Sequence, residues 1–286
     1  MNSLRSNSIF IFFIILSVAV LLLNGCKQEE TDTTDNITQD SEPLEIPPVE
    51  TFKMNFDSFV GSAARAAKTG GYEPLAYVPS NYGYAAGNVG VWNVLIAVGL
   101  AVPVATFIES FNHTPVLQSD GTWVWSYSVK VAGINHTAEL HGKIVDGEVL
   151  WEMYVSKEEF YTDFNWFSGT SYLDGTQGTW TLKKSPDDPT PLLGIEWSRD
   201  LQTQTGDIKY MNIVPDGPEN GGYIYYGTTS DPTYDAFYDI YNKGDDDLIE
   251  IEWNRTAKNG RVRNLTHFGN EDWHYWDESL QDATAP

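Results

Sequence analysis

Alternation of apolar and polar side chains with a period of two dominates residues 123–155 and confines this part of the chain to half-buried β-strands. Trp123, Trp125, Tyr127, Val129 and Val131 fall on one phase, with Ser126, Ser128 and Lys130 on the other. A second run sets Ala138, Leu140, Gly142 and Ile144 against Thr137, Glu139, His141 and Lys143. A third puts Val149, Trp151, Met153 and Val155 on its apolar side. Gly133-Ile134 turns the first run into the second, and Asp146-Gly147 supplies the two positive-φ residues that a tight hairpin turn requires. Three consecutive antiparallel strands follow from the pattern.

The period recurs in 177–184, 193–199, 208–214, 222–228, 248–255, 260–268 and 273–276. Between these runs lie turn formers such as Pro186-Asp187-Asp188-Pro189, Asp216-Gly217-Pro218, Lys243-Gly244-Asp245 and Asn259-Gly260. No helical crossover fits between the runs, so the spacing predicts a meander and not a parallel sheet. Most strand tryptophans lie on the apolar phase, and a face so aromatic must be covered.

Residues 91–108 (VWNVLIAVGLAVPVATFI) offer the cover. The segment is apolar all round, which predicts one long helix buried on every side and bent near 99–103, where Pro103 cannot donate to the Gly99 carbonyl. As a helix it would reach about 27 Å, marginal for a membrane span, and Lys68 and Lys130 are the nearest lysines or arginines on either side. Residues 57–68 read as a short helix and 70–87 as a Tyr/Gly/Pro loop. The expected fold is all-β: a curled or closed antiparallel β-barrel of roughly 8–10 strands around that helix, since closure removes exposed edges. At the level of fold it resembles lipocalins and the half-barrels of lipoprotein carriers, without a matched motif, and a fold carries no function by itself.

The N-terminus says where the chain goes. Arg5 precedes an apolar run, residues 9–23, of the length of an export signal, and the run ends in Leu23-Asn24-Gly25-Cys26 with the only cysteine. This stretch resembles the lipobox of bacterial lipoproteins, with Asn24 an unusual occupant of its position. The resemblance implies cleavage before Cys26, lipidation of its thiol, and membrane anchoring. Lys27-Gln28-Glu29-Glu30 resembles the acidic export tag of Bacteroidota surface lipoproteins, which implies an outer-membrane, lipid-anchored, cell-surface protein. Asp32-Thr33-Thr34 resembles a short O-glycosylation motif of the same bacteria. Residues 28–50 are rich in Thr, Asp, Glu and Pro, a composition that cannot bury enough surface to fold. The expected organisation is a signal peptide over 1–25, a lipidated disordered tether over 26–50 and a single β-barrel domain over 51–286.

Charge narrows the partners. Seventeen basic and 40 acidic residues give −23, or −24 once Arg5 leaves with the signal. Such acidity disfavours nucleic acid and anionic lipid headgroups. The chain holds no Gly-x-Ser-x-Gly, no His-Glu-x-x-His and no phosphate-binding or dinucleotide loop. The closer histidine pairs, His136/His141 and His267/His274, have odd separations that put partners on opposite faces within one strand, although a bend between His267 and His274 would bring that pair together. No metal site and no cofactor is expected. Glu250 and Glu252 share a strand face at a spacing that glycosidases use, but Ile249, Ile251 and Trp253 own the inward phase, so the glutamates face water. The acidic turns 245–247 and 216–220 lack the glycine and glutamate spacing of a calcium loop.

The closing run FGNEDWHYW is the most unusual local composition, and Trp273, His274, Tyr275 and Trp276 are the candidate ligand-binding residues, with a last sealing strand as the plainer reading. Tyr223, Tyr225 and Tyr226 form a second aromatic group. The chain therefore reads as a non-enzymatic, membrane-anchored ligand-binding or interaction module, its expected ligand small and apolar or a carbohydrate. A glycan-directed hydrolase with acids at a barrel mouth is the alternative.

Overall fold

A computed structural model of the protein describes residues 42–60 and 80–285. Fourteen strands form one antiparallel sheet, each bonded to its neighbours in sequence. The first seven are β1 Val116–Leu117, β2 Trp123–Val131, β3 Ile134–Val145, β4 Glu148–Lys157, β5 Tyr161–Tyr172, β6 Gln177–Lys183 and β7 Pro191–Asp200. The rest are β8 Thr205–Asn212, β9 Tyr223–Thr228, β10 Ala236–Asn242, β11 Asp247–Trp253, β12 Gly260–Arg263, β13 His274–Trp276 and β14 Asp282–Ala283. The expected meander is present, and its closure is corrected: the sheet is open, with β1 and β14 at its two edges, and has 14 strands where roughly 8–10 were expected.

Two of the uncounted strands show why periodicity undercounts. In the β4–β5 pairing the register shifts between Met153 and Tyr154 and again between Val155 and Lys157, and bulges of this kind change which side chains face inward. Trp166 and Phe167, adjacent in sequence, are then both buried. In β10, Ala236, Tyr238 and Ile240 point inward, but Phe237 and Tyr241 put rings on the outer phase and mask the alternation.

The inner face carries Trp125, Leu140, Trp151, Phe167, Trp180, Trp197, Tyr210, Ile224, Tyr238, Trp253 and Trp276, all buried. Indoles fit side by side because glycines stand opposite them. In register, Gly142 faces Trp151, Gly169 faces Trp180, Gly178 faces Trp197 and Gly260 faces Trp276. A Cβ on Gly142 would lie 2.7 Å from the Trp151 ring and 3.2 Å from Leu44.

Two layers cover this face. The first is a strap, residues 44–59, crossing the strands. Phe52, Met54 and Phe56 are buried while Lys53 and Asn55 are exposed, the period of an extended chain with one face inward. Phe52 packs 4.6 Å from both Phe107 and Phe167. Further along, Phe59 packs 4.9 Å from Trp253 and 6.2 Å from Trp276. Tyrosine hydroxyls take the place of a strand partner. The Tyr210 hydroxyl accepts from Met54 N at 2.7 Å and donates to Phe52 O at 2.9 Å, and Tyr238 donates to Asn55 O at 3.0 Å. Burial pushes both phenols up, so they stay protonated donors. Residues 42–50, tether by composition, give Ile46 to the core.

The second layer is helical. The short α1 (Asp57–Val60) ends the strap, while the rest of the expected 57–68 helix lies outside the described residues. Then come α2 (Asn81–Gly99) and α3 (Ala101–Ser110), bent 74° from one another. The break falls at Leu100, within the expected 99–103, while the start is corrected from 91 to Asn81, inside the stretch read as loop. Ser80 caps α2, its hydroxyl accepting from Gly83 N at 3.0 Å, and Ala85, Ala86 and Val89 bury its first turns. Pro103 sits in the first turn of α3, where a missing N–H costs little. α2 packs on β10, β12 and β13, and α3 on β2 and β3, so the pair reaches from the last strands to the first. Burial on every side does not hold: Val91 is 59% and Leu95 60% exposed. No single described helix is long and apolar enough to cross a membrane.

Tyr210→Phe leaves a buried N–H and a buried carbonyl of the strap without their partner, and should cost about 1–3 kcal/mol in urea unfolding. Gly142→Ala should cost about as much through overpacking against Trp151; unchanged midpoints in both variants would contradict the account of the inner face.

Candidate binding surface

The phase that points away from the core builds one continuous surface over β8–β12. The register fixes its rows. Lys209, Tyr225, Asp239, Glu250 and Arg263 stand side by side across five strands. Met211, Tyr223, Tyr241 and Leu248 form the row on one flank. Asp207, Gly227, Phe237, Glu252 and Arg261 form the row on the other. Asp239 is the centre of the grid: Tyr225 is its cross-strand partner on one side, Glu250 on the other, and Phe237 and Tyr241 flank it along its own strand.

The rings are half-buried and packed on each other. Tyr225 meets Phe237 edge-on at 5.1 Å, and Tyr223 meets Tyr241 at 5.6 Å. Phe237 lies over Gly227, where any Cβ would strike its ring. Lys209 Nζ sits 4.2 Å above the Tyr223 ring, and Tyr241 donates to Asp246 Oδ1 at 2.6 Å.

The carboxylates differ in how they are compensated. Arg263 holds Glu250 with two hydrogen bonds of 2.6 and 2.7 Å, and Arg261 holds Glu252 with bonds of 2.9 and 2.6 Å. The Trp273 ring lies 4.3 Å from the Arg261 guanidinium and 4.6 Å from that of Arg263. Among the described residues no basic group makes an ion pair with Asp239. Burial, then the charges of Glu250 and Glu252, push its carboxyl up to about 6, with Arg263 opposing them.

The four residues singled out from FGNEDWHYW do not converge. Trp273 covers the two arginines, and Tyr275 pairs in register with Arg261, which places both beside the outer surface. His274 stacks on Phe268 at 3.7 Å, with Nε2 3.2 Å from Asn270 Oδ1. Trp276 is 2% exposed, its ring in the core and its Nε1 donating to Lys258 O at 2.8 Å in the β11–β12 turn. Tyr226 points the other way from Tyr223 and Tyr225, packing 4.9 Å from Tyr238. Cys26 lies outside the described residues. Among the described residues no three His, Cys, Asp or Glu side chains are grouped to hold a metal ion. Of the acidic run 245–247, Asp246 accepts from Tyr241, and Asp247 Oδ1, at the start of β11, accepts from Asn264 and Thr266.

A groove of about 520 Å³ opens where the strap passes the ends of β7–β9, lined by Met54, Trp197, Asp207, Tyr226, Thr228 and Arg255, among others. Ser198 there donates to Asp207. No histidine or cysteine lines it, so the serine has no imidazole base within the groove.

What the sequence did not disclose is Asp239. The signal was present in AFYDIYN, where an acid stands between two outward rings, but only the pairing with β9 and β11 brings Tyr225 and Glu250 to it. Comparison with models of protein families, with curated proteins and with solved structures found no match to this chain.

The raised carboxyl has a definite sign. The folded state holds the Asp239 proton more tightly than an unfolded chain does, so the stability it brings is full below about pH 4 and lost as pH rises through about 6. Asp239→Asn removes that loss. Urea unfolding should show the variant more stable at pH 7.5 by about 1 kcal/mol, after allowance for solvent screening of a half-buried group, and little changed near pH 3.5. Equal effects at both values would refute the assignment.

Proposed function

We propose that the protein is an outer-membrane lipoprotein, anchored through Cys26 and facing the cell exterior, whose folded part is a non-enzymatic interaction module working through its outer sheet surface. The observation that carries the module reading is the filling of the inner face. Phe52, Met54, Phe56, Phe59, Phe107 and Leu100 are all buried against the strands, and they occupy the place where a lipocalin-like barrel would hold an apolar ligand. The wrapping of an open sheet on its own strap favours the half-barrel form of the expected fold. The anchor reading rests on Leu23-Asn24-Gly25-Cys26, the acidic Glu29-Glu30 and the polar stretch that follows. Several acyl chains on one cysteine would hold the module at a membrane that its own acidity does not attract.

The hydrolase alternative has less support. Glu250 and Glu252 lie on the outer surface, and each is already held by an arginine through two hydrogen bonds.

Growth with an alkyne-bearing palmitate should label the wild-type chain and leave Cys26→Ser unlabelled; an unlabelled wild type would overturn the anchor. Native mass spectrometry of the detergent-released protein should show the polypeptide and its acyl chains alone. A further stoichiometric small molecule would overturn the filled-interior reading.

A further inference from the structure

We infer that the outer surface centred on Asp239 receives a lysine or arginine side chain of a basic polypeptide partner. The inference rests on reading the sheet as an interaction module and names its partner by chemistry. Aromatic rings attract a cation placed within about 6 Å of their faces, and the register sets Tyr225 directly beside Asp239, with Phe237 and Tyr241 at the next outward positions of the same strand. The same surface already shows the contact with one of its own cations, Lys209 over Tyr223.

The protein's other cations near Asp239 are committed elsewhere. Arg263 and Arg261 are held by Glu250, Glu252 and Trp273, and Lys243 lies toward Tyr241 at 5.7 Å. Among the described residues Asp239 makes no ion pair: Arg263 acts on its carboxylate only through space, and Lys209, beside Tyr225 in register, has its ammonium over Tyr223. A half-buried carboxylate outside any ion pair and ringed by aromatic side chains is a place for a ligand's positive charge. The surface is a sheet face and not a cleft, so a free amine would be poorly enclosed. A side chain presented by a larger partner gains the neighbouring Tyr223 and Trp273 as rim contacts, and the formal charge of −23 steers a basic segment toward it.

The test uses the full-length protein in a neutral detergent at about 0.15 M salt, where bulk attraction is screened. Its probe is a fluorescein-labelled, end-blocked octapeptide of alternating Lys and Gly, read by anisotropy against the same peptide with Gln for Lys. The lysine peptide should bind and the glutamine peptide should not. Asp239→Asn should weaken binding about tenfold and Tyr225→Leu about threefold, whereas Asp187→Asn, an exposed acid in the β6–β7 turn, should leave it unchanged. The urea midpoint of Asp239→Asn at pH 7.5 reports whether that variant is folded. Equal binding of the two peptides, an unaffected Asp239→Asn, or an equal loss in Asp187→Asn would each overturn the inference. So would a site that takes a glucosamine oligomer and refuses the lysine peptide. None of these outcomes alters palmitate labelling or the native mass, so failure here is distinguishable from failure of the anchored-module reading.

Discussion

A peptide segment laid across strands cannot share their ladder, and buried amides without partners are costly. The strap meets this constraint with tyrosine hydroxyls. Tyr210 serves as acceptor for one peptide group and donor to another, and Tyr238 reaches the next carbonyl. On the helical side Tyr127 donates to Thr106 O at 2.6 Å. A phenol suits the task because its ring adds to the apolar packing while its tip supplies the polar contact. Without such contacts the strap's peptide groups would have to stay in water, and the indole-lined face would lose its nearest cover.

Covering from within also explains how 14 strands remain open. The edge strands β1 and β14 are only two residues long, too short to template further pairing. Asn81 ties α2 to the far edge, its N–H bonded to Asp282 Oδ1 at 2.7 Å and its amide to Tyr275 O at 2.8 Å. α3 reaches β2 at the other edge. The helix pair thus spans between the sheet's ends, which leaves the outer surface free for side chains with no part in the core.

Much of this was legible in sequence where one physical rule acted alone. β2–β4 followed from alternation and Asp146-Gly147, and Glu250 and Glu252 were placed outside because Ile249, Ile251 and Trp253 claimed the inward phase. Rules in competition hid the rest. Bulges in the β4–β5 pairing broke the period of β5, outward rings disguised β10, and the strap's alternation of Phe52, Met54 and Phe56 lay in a region whose composition suggested tether and mixed structure. FGNEDWHYW drew notice by composition, yet alternation sends Trp276 inward while Trp273 remains outside. Composition marks a surface less well than register does.

The strap also sets an order of events. Its hydrogen-bonding partners lie 156 to 183 residues further along the chain, whereas each strand pairs with the one beside it in sequence. Strand pairing can therefore proceed locally as the polypeptide is made, but the strap, which is made first, does not meet its hydrogen-bonding partners until β8 and β10 have followed. Throughout that interval the growing aromatic face lacks the strap's part of its cover, and long-range closure of this kind is slow and exposed to aggregation. A chain built this way gains more from a holding factor while it is being made than one whose first strand finds its neighbour at once.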